Sequence, residues 1–96
     1  MVTYNSQLVL PAFFHSLKKF TKNRFRLLVI DNNSTDRTKA YLQSILEDDF
    51  FRKKTRLVFN RTNIGLAKAW NQAIKRTSGQ LIVFLNPDLV FTKDWL

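Results

Sequence analysis

Apolar positions along this chain alternate between short continuous runs and stripes at helical spacing. Val2-Thr3-Tyr4 is a β-prone scrap that runs into Asn5-Ser6 and is shorter than a usual strand, as if the chain entered in mid-strand. Leu10, Phe13, Phe14, Leu17 and Phe20 then recur at i, i+3, i+4 and i+7, which predicts an amphipathic helix with Ser6 as its cap and Pro11 in its first turn. Phe25 to Ile30 is a second strand candidate, ending at the turn-forming cluster Asp31-Asn32-Asn33-Ser34-Thr35-Asp36. Ser34 or Thr35 is placed to cap a second helix, whose apolar stripe is Tyr41, Leu42, Ile45 and Leu46.

After a charged linker from Glu47 to Thr55, Arg56 to Phe59 reads as a third strand, stopping at Asn60-Arg61-Thr62-Asn63. Gly65 opens a helix with Leu66, Ala69, Trp70, Ala73 and Ile74 on one face, and Ser78-Gly79 is its expected close. Leu81 to Leu85 are five apolar residues in a row that stop at Asn86-Pro87-Asp88. This is the pattern of a fully buried strand in a parallel sheet, although a buried helical segment has the same pattern. Thr92 to Leu96 reads as a capped helix start with no room to continue, so the pattern is that of a chain cut at both ends.

Alternating strands and helices of these lengths predict an α/β fold with a mostly parallel sheet and helices packed on its faces. Ligand crevices in open α/β sheets lie beyond the carboxyl ends of the strands. Four loops are expected on that edge: Tyr4-Asn5-Ser6, Asp31 to Asp36, Asn60 to Gly65, and Asn86 to Asp88. Three of the seven acidic residues, Asp31, Asp36 and Asp88, fall in this set. In a chain so basic, that concentration points to a site.

Charge adds a second feature. Sixteen basic against seven acidic residues leave a formal charge of +9, which suits polyanions or anionic surfaces. Lys18, Lys19, Lys22, Arg24 and Arg26 form one cluster and Arg52, Lys53, Lys54 and Arg56 another. Each precedes a strand candidate, so both belong at the amino end of the sheet, away from the crevice. A solvated face, a membrane-surface or acidic-partner patch and a nucleic-acid surface all fit such clusters. The interleaved aromatics of a single-strand platform are missing, so nucleic acid is not expected. No cysteine means no disulfide framework and no thiolate metal site, in keeping with a reducing compartment. The longest apolar run is five residues, where a membrane helix needs about 20; the sequence reads as a soluble domain of 96 residues with one core.

Each candidate residue carries a plain structural reading beside its chemical one. Asp88 beside Asn86 offers one anionic and one neutral oxygen, enough for magnesium or manganese only if substrate phosphates complete the shell; the same triplet also makes an ordinary turn. Asp31 could accept a ring N–H from a base or cap the following helix. Asn63-Ile64-Gly65 before Lys68 and Asn71 is a tight turn into a helix whose amino end suits an anion, without a Gly-rich phosphate fingerprint. His15 among Phe13, Phe14 and Leu17 reads as a packed or surface histidine, and Trp70 as core. No Ser-His-Asp set or histidine metal cluster stands out, and no general base is identifiable.

Val2-Thr3-Tyr4-Asn5, Asp31 to Asp36, Asn63 to Ala69 with Asn71, and Phe84-Leu85-Asn86-Pro87-Asp88, in this order and spacing, resemble family 2 glycosyltransferases of the GT-A fold, most closely the rhamnosyltransferase-like branch. The resemblance spans nearly the whole chain. It implies a Rossmann-like GT-A three-layer sandwich, incomplete here, with residues 1–96 forming the nucleotide-sugar-binding half of the domain. The implied activity is inverting transfer of a sugar from a UDP- or dTDP-type donor to a glycan or lipid-linked acceptor, with Mg or Mn as cofactor. The expected location is the cytoplasm, at the inner face of the membrane if there is peripheral contact. Thr3, Tyr4 and Asn5 would line the base pocket, and Asp31 would accept the base N3–H. Asn33, Asn63 and Lys68 belong to the same nucleotide set. Asn86 stands where the family's Asp-X-Asp motif has its first acid, and Asp88 would bind the metal. Asn at that place leaves one carboxylate, and the family's acceptor half and base lie beyond Asp88, so this stretch alone is not expected to complete the transfer. The competing expectation is a non-catalytic binding module, a relative that meets anionic membrane or glycan through its basic surface.

Overall fold

The computed structural model describes residues 1–79 and 81–96. Its elements are β1 (Val2–Thr3), α1 (Leu10–Phe20), β2 (Leu27–Asp31), α2 (Thr38–Ile45), α3 (Asp49–Arg52), β3 (Thr55–Phe59) and α4 (Leu66–Arg76). The sheet has the order β1-β2-β3 and both pairings are parallel. β2 is the central strand, with Thr3 opposite Asp31 on one side and Phe59 opposite Asp31 on the other.

Alternation along β2 builds the layers. Leu27 and Val29 face a core with Leu10, Phe13, Phe14 and Leu17 of α1, Leu42 of α2 and Phe51 of α3. Ile30 faces the other side, where Val2 and Ala69 and Ala73 of α4 close a smaller core. Helices therefore cover both faces of a parallel sheet, as expected from the alternation of runs and stripes. The larger core is aromatic at its centre: Phe14 meets Phe13 and Phe51 edge-on, with ring centroids 5.2 Å apart in each pair. Such contacts add about 0.5–1.5 kcal/mol beyond area burial. His15 is exposed on α1, and Trp70 is half-buried against the smaller core.

Several local expectations change. Ser6 caps α1 with its backbone rather than its hydroxyl: its carbonyl accepts the N–H groups of Val9 and Leu10. Pro11 sits in the first turn, where its missing N–H costs nothing. Neither Ser34 nor Thr35 caps α2, because the helix begins only at Thr38 with Arg37 at its N-cap position; the carboxylate of Asp36 accepts the Thr38 N–H, at 2.9 Å. The charged linker from Glu47 to Thr55 contains α3, a single turn capped by Asp48, whose Oδ1 accepts the Phe50 N–H at 2.8 Å. α4 ends at Thr77 rather than at Ser78-Gly79, with the Thr77 N–H and hydroxyl both turned back onto the last carbonyls.

The largest departure is Leu81 to Leu85, which forms no strand. Leu81 is 75% exposed and Phe84 54%. A parallel strand gains from a ladder of bonds to its neighbour, and among the described residues the run pairs with neither outer strand, β1 or β3. The run is instead held by side chains: Phe84 sits edge-on to Trp70 at 4.8 Å and Leu85 packs on the larger core. Beyond it the chain returns to α1, without a helix over Thr92 to Leu96. Phe91 is buried 5.1 Å from the Phe13 ring and its N–H bonds the Ser16 hydroxyl at 2.9 Å, while the Trp95 indole N–H bonds the Thr21 hydroxyl at 2.8 Å.

Phe14 is fully buried and touches three aromatic neighbours. Phe14→Ala should cost about 3–5 kcal/mol, measured as the loss of unfolding free energy in urea. The same truncation at exposed Phe84 should cost well under half of that.

Candidate functional site

The carboxyl edge of the sheet is organised by the loop that follows β2. Asp31 ends that strand with no exposure to solvent. A carboxylate there needs donors, and the sequence supplies three: the Thr3 hydroxyl at 2.8 Å and the Ser34 hydroxyl at 2.6 Å on Oδ1, and the Ser34 N–H at 2.9 Å on Oδ2. Thr3 is equally buried. The carboxylate thus joins the ends of β1 and β2 to the loop between β2 and α2.

Asn5 joins the same loop from the other side. Its backbone is left-handed, at φ 47, a conformation asparagine tolerates better than most residues. The Asn5 Oδ1 accepts the Thr35 and Asp36 N–H groups at 2.8 and 3.3 Å, and the Asn5 N–H donates to the Ser34 hydroxyl at 2.9 Å. Tyr4 stands exposed beside it. Asn33, also left-handed at φ 62, accepts a 2.8 Å bond from Lys39 Nζ. The Asp36 carboxyl lies below its ordinary value of 3.8: desolvation pushes it up, but bonds from the Thr38 hydroxyl and N–H and from the Gln7 N–H outweigh that push.

The loop after β3 is tied in by amides. Asn60 Nδ2 donates to Asn32 Oδ1 and to Gln72 Oε1, each at 3.0 Å, and Gln72 Nε2 returns a 2.9 Å bond to Asn60 Oδ1. Asn32 Nδ2 reaches the Gly65 carbonyl at 3.2 Å, and the Gly65 N–H is held by Asn63 Oδ1 at 2.9 Å. Gly65 has φ 84, so a Cβ there would strain the backbone although space is open around it. Asn63 is exposed, and Lys68 stands exposed one turn into α4 beside Asn71.

Three of the four expected loops therefore meet at one edge. The fourth does not join them by hydrogen bonds: Asn86 and Asp88 lie in an exposed turn closed by the Leu89 N–H on the Asn86 carbonyl at 3.3 Å. This follows from the missing strand, which was to have carried them there. Among the described residues no three His, Cys, Asp or Glu side chains gather into a metal-ligand cluster. Two working residues, Gln72 and Gln7, escaped the sequence reading. Gln72 is one position from Asn71 and twelve from Asn60, a separation with no periodic signature.

At the opposite, amino end of the sheet, part of each basic cluster lines one groove. Arg24, Arg26, Lys53, Lys54, Arg56 and Arg76 border a groove of about 860 Å³ that also holds Leu81 to Leu85, with no acidic side chain in its walls. No helix among the described residues is long and apolar enough to cross a membrane.

The loop motifs and the parallel α/β frame have a counterpart among known proteins, since the model of glycosyl transferase family 2 matches residues 1–96. The chain belongs to glycosyl transferase family 2. A glycosyltransferase of Haemophilus influenzae is 30% identical over 96 residues, covering all of this chain and 37% of its own length. The putative teichuronic acid biosynthesis glycosyltransferase TuaG of Bacillus subtilis is 29% identical over 98% of this chain and 36% of its own. The Escherichia coli UDP-Glc:alpha-D-GlcNAc-diphosphoundecaprenol beta-1,3-glucosyltransferase WfgD is 35% identical over 92% and 33%. The chain thus spans about a third of the length of these relatives. No solved structure gives a significant match. The α/β architecture, with its parallel sheet covered on both faces, agrees with part of a Rossmann-like GT-A fold.

Two outcomes follow from the edge geometry. Thr3→Val should cost about 1–3 kcal/mol of stability, because a buried carboxylate loses a donor, and Ser34→Ala should cost more because it also orphans the Asn5 N–H; urea denaturation of both variants measures this. A carboxyl lowered in the folded chain contributes stability that is present above the unfolded value near 3.8 and lost as pH falls through the lowered folded value. Carboxyl NMR should therefore place the Asp36 titration below 3.8, and Thr38→Val should move it up.

Proposed function

We propose that this chain is the nucleotide-sugar-binding half of a GT-A glycosyltransferase domain and binds a UDP- or dTDP-type donor for inverting transfer to a glycan or lipid-linked acceptor. The observation that carries the proposal is the convergence of the loops after β1, β2 and β3 at the carboxyl edge of a parallel sheet, in a chain of family 2. Edges of this kind are where open α/β sheets bind ligands.

In this reading Tyr4 and Asn5 border the base, and Asp31 with Thr3 beneath them fixes the strand ends that hold it. Asp31 Oδ2 accepts one internal bond, from Ser34, which leaves it capacity for a ring N–H once a base is seated. Asn33, Asn63 and Lys68 lie on the loops and the first turn of α4 that would face the phosphates, where a lysine and a helix amino end both favour negative charge. Asp88, with Asn86, supplies one anionic oxygen and one neutral one. That donor set fits Mg or Mn only when a diphosphate completes the shell, because one carboxylate holds such an ion weakly. Asp88 and Asn86 would hold the metal, and the chemistry it would supply when bound is neutralisation of charge on the leaving diphosphate. The general base is not assigned to any residue of this chain, and the location proposed is the cytoplasm.

A second reading rests on the amino-end groove, whose six cations and apolar run suit an anionic membrane surface or acidic glycan. It describes either a non-catalytic binding module or a peripheral contact of the enzyme at the inner membrane face.

Isothermal calorimetry decides between them. UDP or dTDP should bind more tightly with Mn or Mg than without, and Asp88→Ala should abolish that difference while leaving metal-free binding unchanged. No binding of either nucleotide by the folded chain would overturn the proposal. Salt-sensitive binding to anionic vesicles that survives Asp88→Ala would then favour the binding module.

A further inference from the structure

Gln72 of α4 bonds Asn60 in the loop after β3, and Asn60 in turn bonds Asn32 in the loop after β2, in a connected set of amides. Asn60 uses both of its Nδ2 hydrogens, one on Asn32 and one on Gln72, and its Oδ1 takes the hydrogen returned by Gln72. Asn32 is buried, its N–H bonds the Thr3 carbonyl at 2.9 Å, and its own Nδ2 ends on the Gly65 carbonyl at 3.2 Å. The two peptides that flank the Gly65 Cα are thereby each held, the following one by Asn32 at the Gly65 oxygen and the preceding one by Asn63 at the Gly65 N–H. Gly65 is also the cap of α4 at φ 84, so the direction of its peptide sets the direction of the first N–H groups of that helix.

We propose that Gln72 is a positioning residue: by orienting the Asn60 amide, which orients Asn32, it fixes the Asn63–Gly65 turn and the amino end of α4 against the loop after β2. The proposal rests on the nucleotide-binding reading for its consequence in affinity, though not for its geometry. An amide suits this place because it donates and accepts at once; a carboxylate keeps only the acceptor for Asn60 Nδ2, and a leucine keeps neither. Partly satisfied networks of this kind loosen where they are broken, since each member orients the next.

The test uses the ¹⁵N-labelled chain, with UDP and Mg as probe. Gln72→Leu should weaken UDP binding about tenfold, the scale of one lost hydrogen bond. It should speed hydrogen exchange at the Gly65 amide by a similar factor of about ten, while Val29 and Ile30 of β2 keep their protection. Gln72→Glu should fall between Gln72→Leu and the parent on both measures. Unchanged UDP affinity with unchanged Gly65 exchange in Gln72→Leu overturns the proposal, as does a change that also strips protection from β2 in both variants, which marks a merely structural role. If Gln72→Leu alone loses β2 protection, Gln72→Glu decides on the same two measures. If the parent binds no UDP, the nucleotide reading fails and Gly65 exchange alone decides the positioning role.

Discussion

The buried carboxylate of Asp31 is the constraint on which this edge of the molecule depends. A carboxylate without solvent is costly unless donors surround it, and the donors here come from two places 28 residues and 3 residues away, Thr3 and Ser34. Ser34 is committed to Asp31, and α2 begins further on, at Thr38, whose N–H the Asp36 carboxylate accepts. Once Thr3 is committed, β1 is held in register with β2 although it has only two residues. The hydroxyl of Ser34 then has an acceptor side left for Asn5, and Asn5 in turn closes the loop at Thr35 and Asp36. One charge, placed at the end of the central strand, thus sets the shape of two loops.

A second polar assembly, made of neutral amides, does for the loop after β3 what Asp31 does for the loop after β2. The two are adjacent in the chain at Asp31 and Asn32, and Asn60 belongs to both through its N–H on the Asp31 carbonyl at 2.9 Å. This arrangement separates the tasks physically. The charged group resists movement strongly because exposing or orphaning it is expensive, whereas the amides orient their neighbours with modest individual energies. Family 2 membership gives this edge its chemical setting, and the opposite end of the sheet is rimmed by arginine and lysine.

Much of this was legible in the residues. The helical stripe of Leu10, Phe13, Phe14 and Leu17 and the alternation across Leu27 to Asp31 follow from periods of 3.6 and 2, which depend only on neighbours along the chain. The turn formers after each strand marked the loops, and four motifs in order marked the family. Hidden were α3, because one turn is too short to show a period, and the start of α2 at Thr38, because the cap formers from Ser34 to Asp36 follow one another and local pattern does not choose among them.

The sequence by itself determined the long helices α1, α2 and α4, the strands β2 and β3, where the polar loops fall, and the family to which the chain belongs, since each rests on local pattern. Tertiary structure alone decided the fate of Leu81 to Leu85, because a strand needs the edge of another strand and local pattern does not say whether one pairs with it. It alone brought Gln72 to Asn60 and buried Asp31 beneath Thr3, for whether a polar group is a ligand site or a structural hub depends on which donors reach it through space.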